Sequence, residues 1–146
     1  RMFSILRLFN VYGEGQNKQF LIPTIISSLK TSPKRIKLGD IEARRDFIYI
    51  SDVLEAFACV LKRPKDERLA IYNVGSGKAY SARDIVKTVG KILGCHLAVM
   101  GDRAKKRADE TDIEFCSSEK ITGLGWSAGV DLEEGLERIL NFYNFI

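Results

Sequence analysis

Cysteine and histidine are scarce in this sequence, and that scarcity removes several function classes. The three cysteines, Cys59, Cys95 and Cys116, are odd in number, and no two stand at metal-finger spacing. A secreted disulfide framework and a zinc site are both argued against, and a reducing compartment, the cytoplasm, is expected. Cys59 falls inside an apolar helical run and reads as a small core residue. The single histidine, His96, has no acid-plus-nucleophile arrangement beside it. It reads as a partly buried strand residue rather than a catalytic or metal-binding one. No apolar run reaches the ~20 residues needed to span a bilayer. The stretch from Arg1 to Arg7 holds only a short apolar segment closed by arginine, so no signal peptide is read there. Internal repeats and low-complexity linkers are missing too. The chain does not begin with Met, and is expected to be a piece of something longer.

What remains is the size of one domain, 146 residues, able to hold a core without disulfides or metals. The net charge of +4 and pI of about 9.0 suit an anionic small molecule as well as nucleic acid. Basic residues near 34–37, 44–45 and 103–107 could form one patch. Yet no nucleic-acid module signature is present and Tyr and Phe fall mostly at core-like positions, so nucleic acid is not the expected partner.

Strand-like and helix-like patterns alternate, which predicts an α/β fold. Ser4 to Tyr12 reads as one buried parallel strand. Leu21, Ile22, Ile25, Ile26 and Leu29 recur at helical spacing, with Pro23 tolerable in the first turn. Short strands are expected at Arg35–Leu38 and Phe47–Ile50. Asp52 with Glu55 predicts a capping box opening a helix that ends before Pro64. Leu69–Val74 is a strand, and Ser81 with Asp84 caps the next helix, closed by Gly94. His96–Met100 is a strand, and Asp131 with Glu134 caps the last helix.

Several motifs invite chemistry. Gly75-Ser76-Gly77-Lys78 lies between strand and helix, as a phosphate loop does, but that loop needs Gly and Ser or Thr where Tyr72 and Ala79 stand. A tight strand-to-helix turn is the better reading. Gly13-x-Gly15 lacks the third glycine of a dinucleotide fingerprint, Lys18 standing there instead. A pocket-lining loop at a parallel strand end is still expected. Arg44-Arg45-Asp46 offers two permanent cations near a strand end, suited either to a diphosphate or to a surface salt bridge. The run Arg103 to Arg107 reads mainly as a solvated loop face, from which one arginine could reach a phosphate.

Four stretches then occur in order: Arg7-Leu8-Phe9-Asn10-Val11-Tyr12-Gly13; Arg45-Asp46-Phe47-Ile48-Tyr49-Ile50-Ser51-Asp52-Val53; Tyr72-Asn73-Val74-Gly75-Ser76-Gly77; and Leu124-Gly125-Trp126 followed by Leu132-Glu133-Glu134-Gly135-Leu136. Together they resemble the carboxyl-terminal half of the extended short-chain dehydrogenase/reductase family, in particular its NAD(P)-dependent nucleotide-sugar epimerases and dehydratases. The resemblance runs over nearly the whole chain.

The resemblance implies that residues 1–146 are the carboxyl-terminal portion of a Rossmann-type fold. Most would form the substrate-binding lobe. Ser4–Tyr12, the helix after Asp52 and Leu69–Val74 would belong to the Rossmann lobe, and the amino-terminal NAD-binding part would be absent. The family oxidises the sugar by hydride transfer to nicotinamide, with the tyrosine of a Tyr-x-x-x-Lys pair as base. None of Tyr12, Tyr49, Tyr72, Tyr80 and Tyr143 has a lysine four residues on, so the chain alone is expected to be inactive. By the same resemblance Asn10 and Arg45 grip the substrate diphosphate, Arg107 lies near phosphates and ribose, and Glu110 is its acidic companion. Phe20 and Leu21 pack near the nucleotide, and the backbone of Ile36, Lys37 and Leu38 reads the base. Leu8 and Phe9 are the positions that would face the cofactor, NAD or NADP. The implied partner is a UDP-, GDP- or dTDP-sugar, with no membrane. Self-association of the isolated chain is expected because missing sheet neighbours leave apolar faces open, and a homodimeric parent is expected beside it. A dehydratase or a 4-ketosugar reductase, or a nucleotide-binding module without chemistry, are the alternatives to an epimerase.

Overall fold

A computed structural model of the chain describes residues 3–32, 34–62, 68–101 and 112–146. Its strands are β1 (Phe3–Leu8), β2 (Asn10–Tyr12), β3 (Arg35–Leu38), β4 (Arg44–Tyr49), β5 (Leu69–Val74), β6 (Ala79–Ser81), β7 (Ala98–Gly101) and β8 (Ile113–Glu114). The helices are α1 (Leu21–Thr31), α2 (Ile50–Leu61), α3 (Ala82–Ile92), α4 (Glu119–Thr122) and α5 (Leu132–Phe142). β1 pairs with β5, β2 with β4 and β3 with β7, all parallel; β4 also carries antiparallel β6 and parallel β8.

Alternation along β2 and β4 divides the interior. Successive strand residues point to opposite faces, so Tyr12, Phe47 and Tyr49 enter one cluster while Val11 and Ile48 enter another. The first cluster gathers Ile22, Ile25 and Leu29 of α1, Ile85 and Val89 of α3, and Leu136 and Leu140 of α5. The second packs Val53, Ala56 and Val60 of α2 on Ala70, Tyr72 and Val74 of β5, closed by Ile121 and Trp126. Hydrophobic spacing legible in the sequence therefore forms both cores, but strand parity decides which residue goes to which.

Several sequence expectations need correction. Ser4–Tyr12 is not one strand. Phe9 still donates its N–H to the Val74 carbonyl at 3.0 Å, but there β5 ends, so the chain changes partner and continues along β4. The strand expected at Phe47 starts earlier, at Arg44, and Ile50 opens α2 instead of closing β4. The Asp52–Glu55 capping box does not form, because Tyr49 is the N-cap and no side chain caps it. Asp52 lies within the first turn, buried, where its carboxylate accepts from Val130 N–H at 3.1 Å and its carbonyl from Trp126 Nε1 at 3.0 Å. The Ser81–Asp84 box is present in both directions. Asp131 caps Glu134 N–H at 2.9 Å, while the Glu134 side chain turns to Arg138 at 2.6 Å. His96 precedes β7 and is exposed.

α2 carries apolar residues beyond its buried face, although Ser51, Asp52 and Glu55 leave it one polar sector. Val53, Ala56 and Val60 are buried, whereas Leu54, Phe57 and Leu61, at helical spacing on the other face, are 62%, 46% and 85% exposed. Among the described residues no helix is long and apolar enough to cross a membrane.

Candidate functional site

Asp46 sits on the same face of β4 as Ile48 and is fully buried. A buried carboxylate must be satisfied by donors, and this one accepts four hydrogen bonds. Ser76 gives its N–H at 2.8 Å and its hydroxyl at 2.7 Å to one oxygen; Gly77 N–H at 2.8 Å and Cys116 N–H at 3.0 Å serve the other. The Gly75–Lys78 stretch thus cradles an anion after all, but the anion is the protein's own. Gly75 is needed there, since a Cβ would lie 2.8 Å from an Asp46 oxygen and 2.5 Å from Cys116 Cβ. Burial, and then the Asp46 charge, push the Cys116 thiol up to about 11, so it remains a neutral filler and not a nucleophile.

The Asp46 carbonyl accepts the Asn10 side-chain amide at 2.8 Å. One N–H of Asn10 is therefore committed to β4. Strand alternation also separates the arginine pair. Arg44 donates to Ala79 O at 3.1 Å and pairs with Asp84 at 3.0 Å, the salt-bridge outcome. Burial opposes ionisation of Asp84, but the Ser81 hydrogen bonds, and then Arg44, outweigh it and lower its pKa. Arg45 turns the other way, into a cavity.

This cavity, of about 470 Å³, is lined by Arg7, Leu8, Phe9, Asn10, Arg45, Asn73 and Glu114. Four residues singled out in the sequence, Leu8, Phe9, Asn10 and Arg45, meet here. Arg7 and Asn73 were not foreseen; they are register partners across β1 and β5, a pairing that only the sheet creates. Glu114 arrives through β8, which is placed beside Arg45 by parallel pairing. Two guanidiniums and two carboxamides in one cleft form a donor set suited to phosphate oxygens.

A second cleft, of about 670 Å³, is lined by Gln19, Leu21, Thr24, Lys37, Leu38, Gly39, Asp40, Met100 and Gly101. It collects Leu21, Lys37 and Leu38 from the sequence reading. Ile36 does not join them: its side chain is fully buried in the first core and only its backbone is in the β3 edge. Phe20 is the N-cap of α1 and is 58% exposed, outside that lining. Arg107 and Glu110, and the basic segment around them, lie outside the described residues.

The sequence model of the NAD dependent epimerase/dehydratase family matches residues 2–75, half of the chain. The chain belongs to this family. Among curated relatives, the dTDP-4-dehydro-6-deoxyglucose reductase of Escherichia coli is 32% identical over 138 residues, 92% of this chain and 43% of the reductase. Two solved structures share the fold. The UDP-glucuronic acid 4-epimerase of Bacillus cereus, in complex with UDP-glucuronic acid and NAD, superposes with a TM-score of 0.83 at 26% identity, covering 95% of this chain and 44% of that one. RMD from Pseudomonas aeruginosa, complexed with NADPH, gives 0.82 at 28% identity, covering 94% and 47%. The α/β fold with parallel pairs is thus the Rossmann-type fold of the family, and the chain spans less than half the length of these relatives.

Proposed function

We propose that the chain is the carboxyl-terminal, substrate-binding portion of an NAD(P)-dependent nucleotide-sugar epimerase, and that it holds the nucleoside diphosphate of a UDP-, GDP- or dTDP-sugar. The observation that carries this reading is the meeting of Asn10 and Arg45 in one cleft, with Arg7 and Asn73 added by the sheet. The second cleft, with the β3 edge at Lys37 and Leu38, would take the base. Arg107 and Glu110 would complete the phosphate and ribose contacts. A dehydratase or reductase of the same family would use the same cleft, and the E. coli relative supports keeping the reductase in view.

NAD or NADP would be held mainly by an amino-terminal part, since this sequence has neither the glycine fingerprint nor the Tyr-x-x-x-Lys pair. Leu8 and Phe9, on the cavity wall, offer apolar surface that fits one edge of such a cofactor, which supplies the hydride acceptor when bound. The chain alone is then inactive. The exposed apolar stripe of α2, Leu54, Phe57 and Leu61, supports a body larger than this chain, and self-association of the isolated chain follows.

Calorimetric titration of the 146-residue chain with UDP, dTDP and GDP tests the reading. Saturable binding of at least one is expected, weakened about 10–100-fold by Arg45→Gln, the range for losing a hydrogen bond to a charged group. Binding indifferent to Arg45→Gln, or no binding by any of the three, would overturn it.

A further inference from the structure

Glu114 is the one carboxylate among the residues lining the anion cavity. Its position is fixed by backbone register, Arg45 lying opposite Glu114 in the parallel β4–β8 pair. Its Oε2 stands 3.6 Å from Arg45 Nε, an ion pair too long for a good hydrogen bond. Arg45 is mostly sheltered, its side chain 19% exposed, and it also donates Nη1 to the Arg44 carbonyl at 2.9 Å. The Glu114 side chain is 58% exposed, so it can swing into solvent at little cost. The guanidinium is thus tied to the backbone, and Glu114 is a loosely held acid beside it.

Resting on the diphosphate reading above, we propose that Glu114 is a built-in competitor for the anion site. It shares Arg45 with the incoming phosphate and sets how much negative charge a ligand must carry to displace it. A diphosphate, with two charged groups able to bridge Arg45 and Arg7, displaces the carboxylate. A monophosphate, offering a single charged group, gains one contact only and is held back by the remaining carboxylate charge. The residue is therefore a specificity device favouring diphosphates over monophosphates, and it weakens ground-state binding as a consequence.

Glu114→Gln keeps the shape and removes the charge. Titrating wild type and Glu114→Gln with UDP, UMP and uridine reads the effect. The variant is expected to bind UDP about fivefold more tightly at low salt, and UMP by a larger factor, narrowing the preference between them, with the gain shrinking as salt rises. Uridine, carrying no phosphate, should be unaffected, which a merely structural change would not spare. An unchanged thermal midpoint shows that the variant folds. Equal or weaker UDP binding by Glu114→Gln, with wild-type binding still lost on Arg45→Gln, would overturn this inference and leave the diphosphate site standing. Failure of the wild type to bind UDP would overturn both.

Discussion

The Asn10 amide and the Asp46 carbonyl, 2.8 Å apart, join the strand that carries one proposed phosphate ligand to the strand that carries the other. Arg45 precedes Asp46 directly, so the position of Arg45 relative to Asn10 is set by the same residue whose carboxylate ties in Ser76, Gly77 and Cys116. The geometry of the cleft depends on this buried acid as much as on the groups that line it.

Asp46→Asn is accordingly expected to be costly. An amide presents one acceptor oxygen and would point its NH₂ at N–H donors, leaving buried donors without acceptors. Loss on the order of 3 kcal/mol is expected from buried unsatisfied groups of this kind, readable as a fall in the denaturant midpoint at constant slope. Asp46→Asn with wild-type stability would show that the four hydrogen bonds contribute little.

The exposed stripe Leu54, Phe57 and Leu61 on α2 predicts concentration-dependent association of the isolated chain. Sedimentation velocity should show species heavier than a monomer. Leu54→Glu with Leu61→Lys should shift the distribution to monomer without loss of helix content, because neither side chain belongs to the second core. A monomer at high concentration in the wild type would contradict the prediction.

Alkaline pH should unfold the protein through its tyrosines. Burial, and then the Glu14 carboxylate that accepts the Tyr49 hydroxyl, push Tyr49 up to about 12, against the opposing pull of Arg138. Tyr12 is raised further, by burial first and by Asp52 next. Both phenols are favoured in the protonated form in the folded state. Their contribution is therefore intact below about pH 10, the unfolded tyrosine value, and is lost as pH rises through the folded value. Ultraviolet titration of tyrosinate should show at least these two of the five tyrosines lagging behind the denatured chain, and Tyr49→Phe should flatten the loss of stability between about pH 10 and 12. All five ionising together near pH 10, with the fold intact, would refute this.

Local chemistry was readable from the sequence. Apolar spacing in Leu21–Leu29 and Ile85–Ile92 marked α1 and α3, the Ser81–Asp84 pair marked a helix start, and Gly94, with φ of 64°, marked its end. These depend on residues within one turn of each other. The four ordered motifs also sufficed for the family. What the sequence could not supply was partnership at long range. Asp52 looked like a cap but is claimed by Trp126 and Val130, more than seventy residues on. Arg44 and Arg45 looked like a fork but fall on opposite faces once β4 begins at Arg44. Gly75–Lys78 read as a tight turn, but nothing local showed that the turn closes on the Asp46 carboxylate. Arg7, Asn73 and Glu114 became neighbours of Asn10 and Arg45 only through parallel pairing, whose register is fixed by which faces are buried. Apolar spacing and turn residues mark the main elements, and the four ordered motifs mark the family. The tertiary structure decides which charges meet, because hydrogen-bond and burial requirements of distant segments are settled together and not one at a time.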